Sequence, residues 1–449
     1  PVASHREHAR LRSTEFRSWL SNRFFEETGG TIAGQALEDG LRILEAKAGK
    51  GMEYRPWVRV AEHRDRLYYD LCDDAWRAVE CTGTGGWSIV DHVPVRSKGM
   101  RRQVEPEAGG MIEELRRFLN VNEADHKLVV GWLVAALRER GPFPILLAHG
   151  EHGSGKSVFC RLLRSLVDPN AAPIRAIPKD DHNLILTATN SWILAFDNLS
   201  GVPAWLADGL CRIASGDGFA VRELYANREE TIFVAQRPIM ANGIPQLAER
   251  SDLGDRALVV RLQTIPASDR LPERELEARW DQARPRILGA LFDAICGALG
   301  NLERTRLAEY PRMADFLEFI TAATPSLGWD DGDFLAAYRD NQRDVMANAF
   351  EADSVAVAIR DFIRSVQAGG WEGTAQQLLI ELATGEAVRK AKSWPQSASA
   401  MGNRIDRAAP LLRSQGLIVE RRRTSSGRLI VIVPQEHGDS SRSSLSHPR

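Results

Sequence analysis

A short apolar run, Ile145-Leu146-Leu147-Ala148, leads into Gly150-Glu151-His152-Gly153-Ser154-Gly155-Lys156-Ser157, after which Val158, Phe159, Leu162, Leu163 and Leu166 recur at helical spacing. The eight residues from Gly150 fit G-x-x-x-x-G-K-[ST], and their setting between a strand and a helix removes most chance matches. Such a chain must place a buried strand, a glycine loop and an amphipathic helix in succession, which points to an α/β domain. The chemistry follows from the residue types. Gly150, Gly153 and Gly155, with Ser154 among them, let backbone N–H groups close around phosphates, and the helix turns its positive end toward them. Lys156 offers a point charge to the β- and γ-phosphates, and the Ser157 hydroxyl is a ligand for Mg²⁺. ATP and Mg²⁺ are the expected ligands.

Further along, Trp192-Ile193-Leu194-Ala195-Phe196 is an apolar strand that ends on Asp197. That carboxylate is placed to hold Mg²⁺ through water, with a plain strand-end carboxylate as the alternative. Asn198 stands where many such ATPases carry a second acid. Asparagine orients water but cannot take its proton, so hydrolysis stays open while the water-activating group is unassigned. A third strand, Ile239-Met240-Ala241, ends in Asn242-Gly243. This spacing predicts an exposed amide suited to sensing the γ-phosphate or its water; a simple turn is the other reading.

At 449 residues the chain exceeds one ordinary domain, and 43% hydrophobic with 26% charged residues is a globular composition. No run of 18 apolar residues and no secretory signal are found, so neither a membrane span nor a membrane partner is expected. The cysteines at 72, 81, 160, 211 and 296 are dispersed without a Cys-x-x-Cys pair. That argues against zinc or a disulfide framework and suits a reducing cytoplasm. The start at Pro1, without methionine, reads as that of a fragment or a processed product. Net charge is −2, but residues 387–449 hold 12 Lys/Arg against 4 Asp/Glu, an excess of +8. A nucleic-acid footprint is expected there, against the plainer reading of a solvated face.

Helical periodicity in residues 11–48, split by Gly29-Gly30, gives way to short strand-like runs from Trp57 to Val90. The glycine-rich Thr82-Gly83-Thr84-Gly85-Gly86 lacks the Lys-Ser and helix of a phosphate cradle and reads as a hairpin turn. A basic stretch from Arg96 to Gly110 reads as a linker.

The order of residues 150–157, 192–200, 219–243 and 251–262 resembles the AAA+ helicases of superfamily 3, in particular the helicase portion of phage and mobile-element primase-helicases. The resemblance implies a ring, expected to be a hexamer, with ATP sites between subunits and an arginine reaching in from the neighbour. Asp255-Arg256, followed by the strand Ala257-Leu258-Val259-Val260, looks like the segment that supplies it, with Arg250 as competitor and an Arg–Asp pair as the alternative. It also implies a DNA-tracking hairpin before the third strand. Residues 219–224 and 230–236 alternate as two strands around a tip holding Tyr225 and Arg228, with Arg222 beside it; an ordinary surface hairpin is the rival.

Toward the C-terminus a helix over 398–413 and two strands around Thr424-Ser425-Ser426-Gly427 read as a winged helix. Arg404, Arg407, Arg421, Arg422, Arg423 and Arg428 would line its DNA face. The expected fold class is therefore multidomain α/β. It comprises a small N-terminal α+β module (1–105), a helical linker or collar (106–141), an AAA+ P-loop ATPase core (142–266), a helical lid region (267–368), a winged helix-like domain (369–434) and a disordered tail (435–449). The expected function is an ATP-dependent DNA helicase or translocase in phage or mobile-element DNA replication. Its partners would be DNA, further copies of the chain, and a primase. The rivals are a helicase loader or initiator and a nucleotide-regulated DNA-binding or defence ATPase.

Overall fold

The computed structural model describes residues 11–52, 57–91, 96–199, 202–217, 219–222, 230–233, 235–243, 251–366, 369–382, 394–424 and 427–435. They form two compact units. The first holds residues 1–199, 203–242 and 260–335; the second holds 200–202, 243–259 and 336–449. The protein is thus a multidomain α/β protein with an N-terminal antiparallel sheet, a central parallel sheet and a small C-terminal sheet. Among the described residues no helix is long and apolar enough to cross a membrane.

The first unit opens with α1 (Thr14–Thr28) and α2 (Gly34–Ala48), split at the Gly29-Gly30 pair as the periodicity predicts. Gly29 takes φ +69° and ends α1, a backbone state that favours glycine. A meander follows: β1 (Val60–His63), β2 (Arg66–Asp70), β3 (Arg77–Thr82) and β4 (Gly86–Asp91), antiparallel in sequence order. Thr82 pairs with Gly86, so the glycine-rich stretch is the expected hairpin turn.

Residues 96–110 are not a loose linker. Gln103 is 2% exposed, and its side-chain amide donates to the Tyr69 hydroxyl and Leu166 O. A 3₁₀ helix (Ile112–Phe118) precedes α3 (Glu123–Ala136), in which 11 of 14 residues are buried. A helix apolar on all sides is a core element, so the expectation of a linker or collar over 106–141 gives way to an interior helix.

The central sheet contains β5 (Ile145–His149), β6 (Leu194–Leu199), β9 (Ile239–Gly243) and β10 (Ala257–Arg261), in the order β10-β5-β9-β6. Between β5 and β6 lie α4 (Lys156–Val167) and α5 (Asp181–Asn190). Next come α6 (Ala204–Ser215) and a separate ribbon, β7 (Phe219–Arg222) with β8 (Glu230–Phe233), antiparallel from Phe219↔Phe233 to Arg222↔Glu230. Central strands β5 and β9 run parallel with Ala148 opposite Asn242, which sets the glycine loop and Asn242 at one end of the sheet. The backbone at Arg175 adds a parallel bridge to Phe196 on the outer edge of β6.

Behind the sheet a buried charge cluster ties the meander to the end of α4. Arg59 Nε and Arg164 Nη2 each lie 3.3 Å from the Asp168 carboxylate, which also accepts the Ile193 N–H. Arg59 Nη1 donates to Asp70 O, and Nη2 donates to Arg101 O and Pro169 O. Buried charges are tolerated when their hydrogen-bonding capacity is met in this way. The unit closes with α8 (Glu273–Asn301) against α9 (Ala314–Leu327). Phe292 of α8 packs edge-on to Tyr69, with centroids 5.4 Å apart. The helices expected as one lid are therefore divided, since α8 and α9 belong to this unit's core.

The second unit includes α7 (Ser251–Gly254), the start of β10, and most of α10 (Asp333–Ala352). Asn341 and Gln342 of α10 bond the exposed edge of β10, with Asn341 meeting both Val259 N–H and O and Gln342 meeting Ala257 O. Then come α11 (Ser354–Ser365), β11 (Trp371–Gly373), α12 (Ala375–Leu382), α13 (Ala398–Ser414), β12 (Leu417–Thr424) and β13 (Gly427–Pro434). The sheet order is β11-β13-β12. Phe350, Ile359, Leu378, Ile405 and Ile432 share one core, so this domain takes in helices that the expected boundary at 369 left outside.

Candidate functional site

Glycine is required where the loop after β5 tightens. Gly153 and Gly155 have φ +81° and +80°, and a Cβ on Gly150 would lie 2.6 Å from Ser154 Oγ and 2.7 Å from Leu262 O. The loop ends on the first turn of α4, whose apolar face (Phe159, Leu162, Leu163, Leu166) is buried. Within the loop Ser154 is 1% exposed, and among the described residues its Oγ has no hydrogen-bond partner. Lys156 Nζ donates to Gly150 O at 2.7 Å and Glu151 O at 2.8 Å, so its charge is held at the loop mouth.

β6 brings Asp197 to the same end of the sheet, and Ser157 Oγ donates to Asp197 Oδ1 at 3.1 Å. Residues 40 apart in sequence thus present a hydroxyl and a carboxylate side by side at a helix N-terminus. A phosphate chain fits the glycine loop, and a hard divalent cation fits the oxygen pair. Burial pushes the His149 imidazole below its ordinary value, helped by the charges of Arg261 and Lys156, so the base of the loop carries no added positive charge at neutral pH.

Asn242 departs from expectation. It is 2% exposed, not an exposed amide: Oδ1 accepts the Asn198 N–H at 2.7 Å, and Nδ2 points at Cys160 Sγ, 3.9 Å away. Because β9 lies directly beside β6, the amide is used across the strands, where it holds the strand backbone at Asn198, next to Asp197. Asn198 takes φ +52°, a state asparagine tolerates better than most residues, and its side chain is exposed. Burial pushes the Cys160 thiol up to about 12, so it stays neutral behind the site.

Arg256 belongs to the second unit, half-buried between α7 and β10, with its N–H donating to Leu253 O. Arg250, Tyr225 and Arg228 lie outside the described residues, and of Arg222 only its place on β7 is described. The C-terminal arginines divide in two. Arg404 meets Asp353 at 3.1 Å, Arg421 meets Asp406 and Gly402 O at 2.8 Å, and Arg422 lies near Glu372 and Glu420. Arg407, Arg423 and Arg428 are exposed, and among the described residues no carboxylate pairs with them. Arg423 and Arg428 also stand directly opposite across the β12–β13 ribbon. Like charges in that position repel, which an anion between them would relieve.

Sequence reasoning missed the segment over the loop. Thr264 Oγ1 donates to the Glu151 carboxylate at 3.2 Å, and Arg270 Nη2 is 3.2 Å from where a Gly153 Cβ would lie. Polar residues bounded by Pro266 and Pro272 were the available signal, too generic to use.

A family model described as actinomycete integrative conjugative element replication protein matches residues 112–347, and one described as AICE RepA C-terminal domain matches residues 355–444. No curated protein matches the chain. Similar solved structures include two of the NrS-1 C-terminal region, both described as apo. One is 12% identical over 90% of this chain and 92% of that one, with a TM-score of 0.38. The other is 11% identical over 93% and 90%, with a TM-score of 0.39. The family matches overturn the assignment to superfamily 3 helicases. That resemblance rested on the order of residues 150–157, 192–200, 219–243 and 251–262, and the loop, the Asp-ending strand and the asparagine among them recur in many P-loop ATPases. They constrain the site and leave the superfamily open.

Proposed function

The chain belongs to the family of actinomycete integrative conjugative element replication proteins, and from that premise we propose that it is an ATP-driven DNA motor of element replication. The observation that carries the reading is the Ser157–Asp197 pair, 3.1 Å apart, at the start of the helix that follows the glycine loop. Backbone N–H groups from Gly153 to Ser157 would hold the phosphates of ATP, with Lys156 exchanging its loop carbonyls for phosphate oxygens. Ser157 and Asp197 would hold Mg²⁺, Asp197 partly through water, and the ion would neutralise charge on the β- and γ-oxygens. Asn242 holds the strand backbone at Asn198, from which the Asn198 side-chain amide orients the attacking water. Positioning and charge stabilisation supply most of the rate in phosphoryl transfer, so a site without a second acid is sufficient. The sheet order, with β9 between the loop strand and the Asp197 strand, supports an AAA+-type core.

The motor acts as a ring, with Arg256 completing a neighbour's site. The β7–β8 ribbon, with Tyr225 and Arg228 between its two strands in sequence, engages single-stranded DNA in the channel. The C-terminal unit is winged helix-like and grips DNA phosphates through Arg407, Arg423 and Arg428. Strand displacement on a fork with one single-stranded tail tests this reading. Wild type should displace the strand with ATP, and Tyr225→Ala combined with Arg228→Ala should lose displacement far more than basal hydrolysis. ATP-dependent assembly on duplex without displacement by wild type would mark a loader or initiator instead.

A further inference from the structure

Residues 262–273 run as a strap across the glycine loop, pinned to the elements that frame it. Leu262 N–H donates to His149 O at 2.8 Å, where β5 enters the loop. Gln263 and Asn120 exchange hydrogen bonds, Gln263 N–H to Asn120 O and the Asn120 side-chain amide to Gln263 O. Thr264 binds the Glu151 carboxylate, and the Ile265 side chain lies 3.4 Å from where a Gly155 Cβ would sit. Past the loop, Arg161 of α4 meets Glu273 at 2.6 Å. The strap thus has fixed points on the strand, the loop and the helix of the phosphate cradle.

Arg270 is the strap's cation. Its Nε donates to Ile265 O at 3.2 Å, which leaves the two terminal nitrogens to point elsewhere. Nη2 reaches to 3.2 Å from the Cβ position of Gly153. Among the described residues no carboxylate pairs with Arg270, although the chain offers most of its other strap and loop charges a partner. The nearest loop acid, Glu151, is taken by Thr264. Gly153 has no side chain to hold the guanidinium off, so the charge rests on the wall of the loop whose N–H groups face phosphates.

We propose that Arg270 is a phosphate-contacting residue, supplied in cis by the strap, that binds the terminal phosphoryl group of the nucleotide as charge develops on it. This rests on the reading of Gly150 to Ser157 as a nucleotide cradle. A planar fork of donors suits a phosphoryl group more than a point charge does. Arg270 and the neighbour's Arg256 would then act on one phosphoryl group from two sides.

Direct binding tests it without turnover. A fluorescent N-methylanthraniloyl-ADP is titrated with Mg²⁺ into wild type, Arg270→Ala, Arg270→Lys and Lys156→Ala, with and without aluminium fluoride, which completes a mimic of the transferring phosphoryl. Wild type should bind the fluoride complex more tightly than ADP alone. Arg270→Ala should lose about tenfold or more of the affinity for the fluoride complex, the scale of one charge-assisted hydrogen bond, while ADP alone changes by less than about twofold. Arg270→Lys should recover part of the loss. The same tightening in Arg270→Ala as in wild type overturns the proposal, as does an equal loss for ADP with and without fluoride, since the residue then acts on the loop and not on the terminal group. A wild type that fluoride does not tighten overturns it too. Unchanged ADP binding by Lys156→Ala would instead overturn the cradle reading itself.

Discussion

Asn242 and His126 are both buried polar side chains, one satisfied and the other not, and they make opposite demands on the protein. Asn242 spends its carbonyl oxygen on the Asn198 N–H, so Asn242→Ala leaves that donor without its partner and should cost about 1 kcal/mol of stability. Release of the backbone at Asn198 should lower ATP hydrolysis by about tenfold or more while nucleotide binding persists; an unaltered hydrolysis rate would remove Asn242 from the site. His126 on α3 is 2% exposed, and among the described residues its Nε2 has no partner. Burial, aided by the charges of Arg116 and Lys127, pushes its pKa down to about 4. The unfolded chain, near the ordinary 6.5, therefore binds the proton first. His126 favours the folded state above pH 6.5, and that contribution is lost as pH falls toward 4. Between pH 7 and pH 5 the first unit should lose about 2 kcal/mol from this residue. Urea unfolding at both pH values should show this loss in wild type and not in His126→Leu; equal losses would refute it. Lys156, Ser157 and Asp197 were legible in the sequence because each stands in a contiguous motif with its own strand or helix. The burial of Asn242 and the reach of Arg270 were not, because both depend on contacts between segments far apart in the chain.

At the scale of elements, β12 and β13 separate two kinds of arginine that charge counting treats alike. Arg421 is bonded to α13 through Asp406 and Gly402 O, whereas Arg423 and Arg428 face each other in register. Replacing Arg423 and Arg428 by alanine should weaken DNA binding similarly across sequences and flatten its salt dependence by about two units of slope, one counterion per lost phosphate contact. Arg421→Ala should instead act mainly on stability. A salt titration that leaves both affinity and slope unchanged in the double variant would make this face a site for protein or for none. The element pattern was readable where periodicity was strong: α1 and α2, the β1–β4 meander, β5 with α4, and the final ribbon. It misled at α3, where an apolar stretch between a basic segment and a proline reads equally as a collar or a core helix. It also misled at α8 to α11, because helical spacing does not say which core a helix faces. The Asp197 strand runs Leu194–Leu199 and so begins later than its apolar residues suggest, since Trp192 and Ile193 pack in the interior ahead of the sheet.

For the whole molecule, net charge of −2 conceals a basic stretch over residues 387–449, and the family models, ending at 347 and resuming at 355, break the chain near the change of unit after residue 335. The motifs alone led to the wrong superfamily because a glycine loop ending in Lys-Ser and a strand ending in Asp are patterns that many families share. Membership of a replication protein family gives the proposed ATP chemistry its setting on DNA, and the motor reading joins the two. ATP hydrolysis measured with and without single-stranded DNA, in wild type and in a folded Lys156→Ala variant, tests that union most directly. The account predicts hydrolysis that DNA stimulates in wild type and that Lys156→Ala abolishes under both conditions; equal hydrolysis by the two proteins, or a wild-type rate indifferent to DNA, would contradict it.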